Sequence, residues 1–238
     1  MKRVIGVSVV CSALVVTAIA PVSAAEFSPQ DVEKGYEVTL SKAEARQLGV
    51  SGKVLSTFAV LEADKGAADR AWLCDLSNTD EVAGKGAANV IASGYLSIGG
   101  KTINDAEQEI HVYASPKQAR AAYRDIVQKI KQCEGPQTPA ADSDTEEPAG
   151  MTTQLTNGTK KAADGDPFLW VRAQTLVTGD SGFASNEYST VRRIGRYLQI
   201  LAVDSQGQNA PDLTAKQIRT ADKLTDSLGD RWRATFGG

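Results

Sequence analysis

Between Ala106 and Cys133 the chain changes its period, and that change restricts what it can fold into. "AEQEIHVYAS" alternates: Ile110, Val112 and Ala114 share one face, while Glu109, His111 and Tyr113 share the other, as in a half-buried strand. His111 is therefore expected on the wetter side of a sheet. From Pro116 onward apolar residues recur every three or four positions, at Ala119, Ala122, Tyr123, Ile126, Ile130 and Cys133. Ser115 stands at the cap and Pro116 at the first helical position, so an amphipathic helix is predicted over 116–133. Its single apolar stripe suits it to cover one face of a sheet.

The flanking segments extend this pattern. Residues 26–34 are polar and expected to fray, and "GYEVTL" reads as a first short strand. Ser41 and Glu44 have capping-box spacing ahead of Gly49, which predicts a short helix over 41–48. "KVLSTFAVLE", "NVIASGYLSIG" and "DPFLWVRAQTLVTG" are strand candidates, as is the stretch strongest over Tyr197–Val203. Asn157-Gly158 reads as a hairpin turn. A last helix is predicted after an Asp212 cap, with Leu213, Ile218, Ala221, Leu224 and Leu228 on one side and Gly229 as its stop. "EGPQTPAADSDTEEPAG" has no period and is rich in proline and acid, so a flexible loop is expected at about 134–150. Short turn-linked strands with helices between runs of them point to an α+β fold, a central, mostly antiparallel sheet with helices packed on it.

The N-terminus bears on compartment. Lys2 and Arg3 precede an apolar run from Val4 to Ala20, and small residues follow Pro21, which is the pattern of a secretory signal over 1–25, cleaved after Ala24 or Ala25. Removing Lys2 and Arg3 from the 26 basic residues leaves 24 against 29 acidic ones, a mature net charge of −5 that disfavours nucleic acid as a partner. Cys11 leaves with the signal. Cys74 and Cys133 remain, and an even pair in an exported chain reads as one disulfide. Closing so long a loop contributes ~4 kcal/mol in the chain-entropy picture.

Thr178–Tyr188, "TGDSGFASNEY", contains the Gly-Asp-Ser-Gly that surrounds the nucleophile of chymotrypsin-like proteases. Ser181 would need a base, and His111 is the one histidine of the chain. The setting "EIHVYAS" differs from that family's "AAHC", and Phe183 stands where a further glycine is usual. Gly, Asp and Ser also suit a loop between strands, so no catalytic residue is assigned. The acidic run Asp142, Asp144, Glu146 and Glu147 lacks the spacing of a calcium loop, the two mature cysteines and one histidine do not complete a zinc site, and "GKGAAN" has no phosphate-loop frame; neither metal nor cofactor is expected. Trp72, Tyr95 and Trp170 suit a ligand site or a core. Arg172, Arg192, Arg193 and Arg196 suit an anion site, although arginines on a strand usually face solvent.

"LSKAEARQLGV", "VYASPKQARAAYRDIVQKIKQCEG", "GDSGF" and "VRRIGRYLQILAV", in this order, resemble the extracellular sensor domain of PknH-type actinobacterial kinases and the stand-alone exported proteins related to it. The "Y-A-S-P-x-x-A" entry to a helix ending in cysteine is the most specific piece. The resemblance spans about 36–230, as a single domain, and implies an α+β fold with a cleft for an extracellular ligand. Cys74 and Cys133 match one disulfide of that family, and cysteines for its second are absent. The expectation is a secreted, noncatalytic binding protein whose ligand-binding residues are unassigned and whose ligand is a small molecule or envelope component, acting as a soluble protein or through a partner. Its alternatives are a secreted hydrolase using Ser181 and a cell-envelope interaction protein. Intact mass of the secreted chain with and without reductant checks two of these points: a start at Ala25 or Glu26, and a gain of about two hydrogen masses on reduction.

Overall fold

Alternating apolar and polar residues make most of this chain into strands, and the strands join one sheet. The structure, a computed structural model, describes residues 28–62, 87–98, 102–132, 134–137, 151–177, 183–208 and 210–237. In chain order its elements are α1 (Pro29–Val38), α2 (Lys42–Gln47), β1 (Lys53–Glu62), β2 (Ala87–Ile98), β3 (Thr102–Tyr113), α3 (Pro116–Gln132), β4 (Gly135–Gln137), β5 (Met151–Lys161), β6 (Pro167–Val177), β7 (Phe183–Ile194), β8 (Tyr197–Gln208) and α4 (Ala215–Phe236). The eight strands lie in the order β1-β2-β3-β8-β7-β6-β5-β4, and every neighbouring pair is antiparallel. This is the α+β architecture expected. The signal segment, Cys74, Cys133 and the greater part of the acidic loop, 138–150, lie outside the described residues.

Both faces of the sheet carry helices. α3 lays Ala119, Ala122, Ile126 and Ile130 on Tyr113, Leu169, Val171, Val191, Leu198 and Ile200 of one face. The side chains in between point the other way. There Ala106, Tyr188, Leu201 and Val203 meet α2 and α4, and Ile91, Ile110, Ile194 and Tyr197 meet Trp232 of α4 with Val38 of α1 packed alongside. Period-2 alternation along β8 thus supplies two cores from one strand.

Several local expectations are corrected. "GYEVTL" is not a strand and 26–34 does not fray as a whole: Ser28 caps α1 through a reciprocal box with Asp31, and Pro29 opens the helix. The last helix is capped by Thr214, whose hydroxyl accepts from the Gln217 N–H, and not by Asp212. Residues 135–137 of the expected loop form β4 against β5. Asn157-Gly158 is no hairpin turn but the middle of β5, opposite Val171 and Trp170. A Cβ at Gly158 would lie 2.7 Å from the Trp170 Nε1, so the glycine makes room for an indole lying over the strand.

Gly229 does not stop α4 either; the helix runs on to Phe236. A Cβ at 229 would come within 2.6 Å of Arg192 Nη1 and 3.1 Å of Ile194 Cδ1. Arg192, expected at a solvent-facing strand position, is fully buried beneath this helix. Its Nη1 donates to the carbonyls of Thr225 (3.3 Å) and Asp226 (3.0 Å), and its Nη2 to Asp164 (2.7 Å) and Asp230 (3.4 Å). Gln199, its register partner on β8, donates to the same Thr225 carbonyl at 2.9 Å. Burial alone would raise the Asp164 carboxyl, but the Arg233 guanidinium, the Asp166 N–H and Arg192 hold it down at about 2. The helix therefore docks partly through polar contacts to its own backbone, which need the close approach that glycine permits.

In an ordinary exposed helix, Gly→Ala stabilises by up to ~1 kcal/mol. At 229 the sign reverses: Gly229→Ala is expected to destabilise by ~2 kcal/mol through overpacking against Arg192, while Arg219→Ala on the exposed side of α4 stays within ~0.5 kcal/mol. Urea unfolding of the two variants measures both.

Candidate functional site: a carboxylate face at the sheet centre

α3 covers only part of its face of the sheet. Along the three central strands, beyond Ile200 and Val191, the residues pointing the same way change from aliphatic to acidic and small. Register places Asp105 of β3 and Glu187 of β7 on either side of Asp204 of β8, so three carboxylates form one row across adjacent strands. The next row holds Glu107, Ala202 and Ser189, flanked on β2 by Gly94. A Cβ at Gly94 would lie 2.9 Å from Thr57 Oγ1, so glycine lets the Thr57 side chain lie close to the strand. Glu109 and His111 continue the β3 side of the face.

The electrostatics of these groups differ. Asp204 is partly buried, and burial pushes its carboxyl up to about 6 against the opposing effect of hydrogen bonds from the Ser185 hydroxyl (3.1 Å) and the Ser205 N–H. Ser189 donates to Glu187. His111 was expected on a wet surface and is fully buried; alternation assigned its face correctly, and the difference is that this end of the face is covered. Its Nε2 lies 3.0 Å from Glu109 Oε2, a buried pair. Among the described residues no group of three or more His, Cys, Asp or Glu side chains is arranged to hold a metal ion. The face thus combines carboxylate acceptors, the Ser185 hydroxyl on Asp204, the Ser189 hydroxyl on Glu187, and a carboxyl that burial raises above its ordinary value.

The other residues singled out from sequence are dispersed. Ser181 and the acidic run Asp142–Glu147 lie outside the described residues, as does Trp72. The four arginines do not converge: Arg172 lies 3.8 Å from Asp212, Arg192 is under α4, Arg193 donates to the Gly195 carbonyl, and Arg196 lies over the Tyr197 ring. Tyr95 packs half-buried on the core that α2 and α4 share. Trp170 stacks on Tyr188 with ring centres 6.2 Å apart. The Tyr188 hydroxyl donates to Asp222 (2.6 Å), and Lys160 donates to both (2.9 and 2.6 Å). Burial and the Asp222 charge keep Tyr188 protonated, so this trio ties β5 and β7 to α4.

No protein-family model matches the chain, and no curated protein matches it. Among solved structures it is similar to the extracellular domain of PknH from Mycobacterium tuberculosis, with 16% identity over 89% of this chain and 98% of that one, at a TM-score of 0.46. A likeness at that level assigns this chain neither a ligand nor an activity.

The Asp204 shift has a definite sign. A folded-state value near 6 against an ordinary 3.8 means that the folded chain holds this proton more tightly than the unfolded one. Stability is therefore highest below about pH 4 on this account and is lost as pH rises through about 6, by on the order of 3 kcal/mol. Asp204→Asn is expected to be more stable than the parent at about pH 7, with the gap closing toward pH 4; thermal melts across that range measure it.

Proposed function

We propose that this chain is a secreted, noncatalytic, sensor-like binding protein that receives an extracellular ligand on its carboxylate face. The observation that supports this reading is the placement of Asp204. It stands on a central strand, partly buried, raised in pKa, with carboxylates at the register positions on both neighbours. A sheet face that served packing alone would carry aliphatic residues there, as the same strand does at Leu198 and Ile200 under α3. Export follows from the N-terminal signal pattern, and among the described residues no helix is long and apolar enough to cross a membrane. The noncatalytic part rests on His111, the chain's one histidine, being enclosed and engaged by Glu109.

The test is amide-resolved NMR of the purified chain against fractionated extracellular medium. A saturable fraction is expected to shift the amides of Glu107, Ser189 and Asp204, and Asp204→Asn to weaken that response about tenfold. Fractions that bind without moving these amides, or no binding fraction at all, overturn the reading. Fluorophosphonate labelling that disappears in Ser181→Ala overturns its noncatalytic part.

A further inference from the structure

A second charged feature lies at the turn end of the sheet. The β5–β6 turn closes with the Ala162 N–H on the Asp166 carbonyl (2.8 Å), the β7–β8 turn bends at Gly195 with φ +55°, and the end of α4 brings Arg233 alongside. Between them is an open depression of about 440 Å³ lined by Asp164, Asp166, Arg193, Gly195 and Arg233. Arg193 pairs in register with Leu198, six residues along β8 from Asp204, so the depression is remote from the carboxylate row.

Its charges fall into two sets. Asp164 and Arg233 satisfy one another at 2.7 Å, and Asp164 is further fixed by Arg192 and by the Asp166 N–H. Arg193 and Asp166 are different. Arg193 makes one bond, from Nη1 to the Gly195 carbonyl at 3.3 Å, and neither Arg193 nor the Asp166 carboxylate has an ion-pair partner among the described residues, each other included. A cation and an anion thus line one depression without closing on each other. A ligand of one sign would satisfy one and be repelled by the other. A ligand carrying both signs would satisfy each, with the neutral Asp164–Arg233 pair as the remaining wall.

We propose that this depression binds a small zwitterion of the amino-acid or short-peptide class, its carboxylate on the Arg193 guanidinium and its ammonium on the Asp166 carboxylate. The volume lies in the range of small-molecule sites. Arg193 is preorganised for the role: its strand is pinned from the opposite face by Arg192, and the Gly195 carbonyl holds one of its nitrogens. The proposal goes beyond the function above and does not depend on it.

The probes are L-alanine, L-alanyl-L-alanine and tri-L-alanine, which separate the two charges by increasing distances, titrated into the purified full chain with detection at the amides of Asp166 and Gly195. At least one is expected to shift these amides saturably, and its N-acetylated and C-amidated forms to bind at least tenfold more weakly. Arg193→Gln and Asp166→Asn are each expected to weaken it at least tenfold, whereas Lys117→Gln on α3 leaves it unchanged. Absence of a saturable shift with all three probes, or equal binding of the charge-blocked forms, overturns the proposal. Should either variant misfold, the blocked probes on the unaltered chain decide the matter.

Discussion

The burial of Arg192 sets the terms for the half of this molecule that lies under α4. A guanidinium taken wholly out of water needs partners for its donors, and here its two terminal nitrogens find them in α4 and the β5–β6 turn, at the carbonyls of Thr225 and Asp226 and the carboxylates of Asp164 and Asp230, while Nε has none among the described residues. That demand fixes the height of α4 above the sheet, requires glycine at 229, and draws the turn at Asp164 inward. Thr225 adds a second polar anchor, its hydroxyl meeting Thr190 at 2.6 Å while Gln199 bonds its carbonyl. Leu224, Leu228 and Trp232 are buried alongside, but their apolar contacts are nondirectional. The polar contacts decide where along β7 and β8 the helix sits.

With α4 located, α1 and α2 have little freedom. Arg231 of α4 reaches Glu44 at 3.0 Å, tying the capped α2 to it, and Gln217 donates to the Leu48 carbonyl at the other end of that short helix. Gly35 of α1 lies against Trp232, and Lys160 and Tyr188 meet Asp222 on the far side. The face under α4 is thereby filled and cross-linked by charge pairs. α3, in contrast, sits on its own aliphatic patch at one end of the opposite face, and the sheet centre beyond it is left to polar side chains.

How much of this was legible in the sequence depends on whether the reason for a residue is local. α3 was readable because Ser115, Pro116 and the 3.6-residue period lie within the helix itself, and α2 because Ser41 and Glu44 cap it without outside help. α1 was missed because its box closes with Asp31 in place of the more familiar Glu or Gln, while Tyr36, Val38 and Leu40 imitate strand alternation. Gly158 and Gly229 were misread for a deeper reason. Glycine ordinarily marks turns and helix ends, but here each is explained by a side chain elsewhere in the chain, the Trp170 indole and the Arg192 guanidinium. The carboxylate face was half visible: Asp105, Glu107 and Glu109 alternate along β3, so their common side could be inferred. That Asp204 and Glu187 join them depends on β3 pairing with β8 across an intervening helix and four strands, which no local pattern encodes.

Asp204 is placed differently from the charges under α4, and the difference bears on the proposed function. Under α4 each buried or half-buried cation has a carboxylate: Arg192 has Asp164 and Asp230, Lys160 has Asp222, and Arg231 has Glu44. On the opposite face Asp204 is met by a hydroxyl and an amide, with its protonation equilibrium moved toward neutrality. Such an arrangement costs stability at neutral pH that Asn or Ser at 204 would avoid. The chain shows elsewhere that it can place a counter-charge where packing calls for one. A carboxyl held under desolvation at the centre of the sheet, between strands that contribute further carboxylates, is the feature on which the proposed binding role rests.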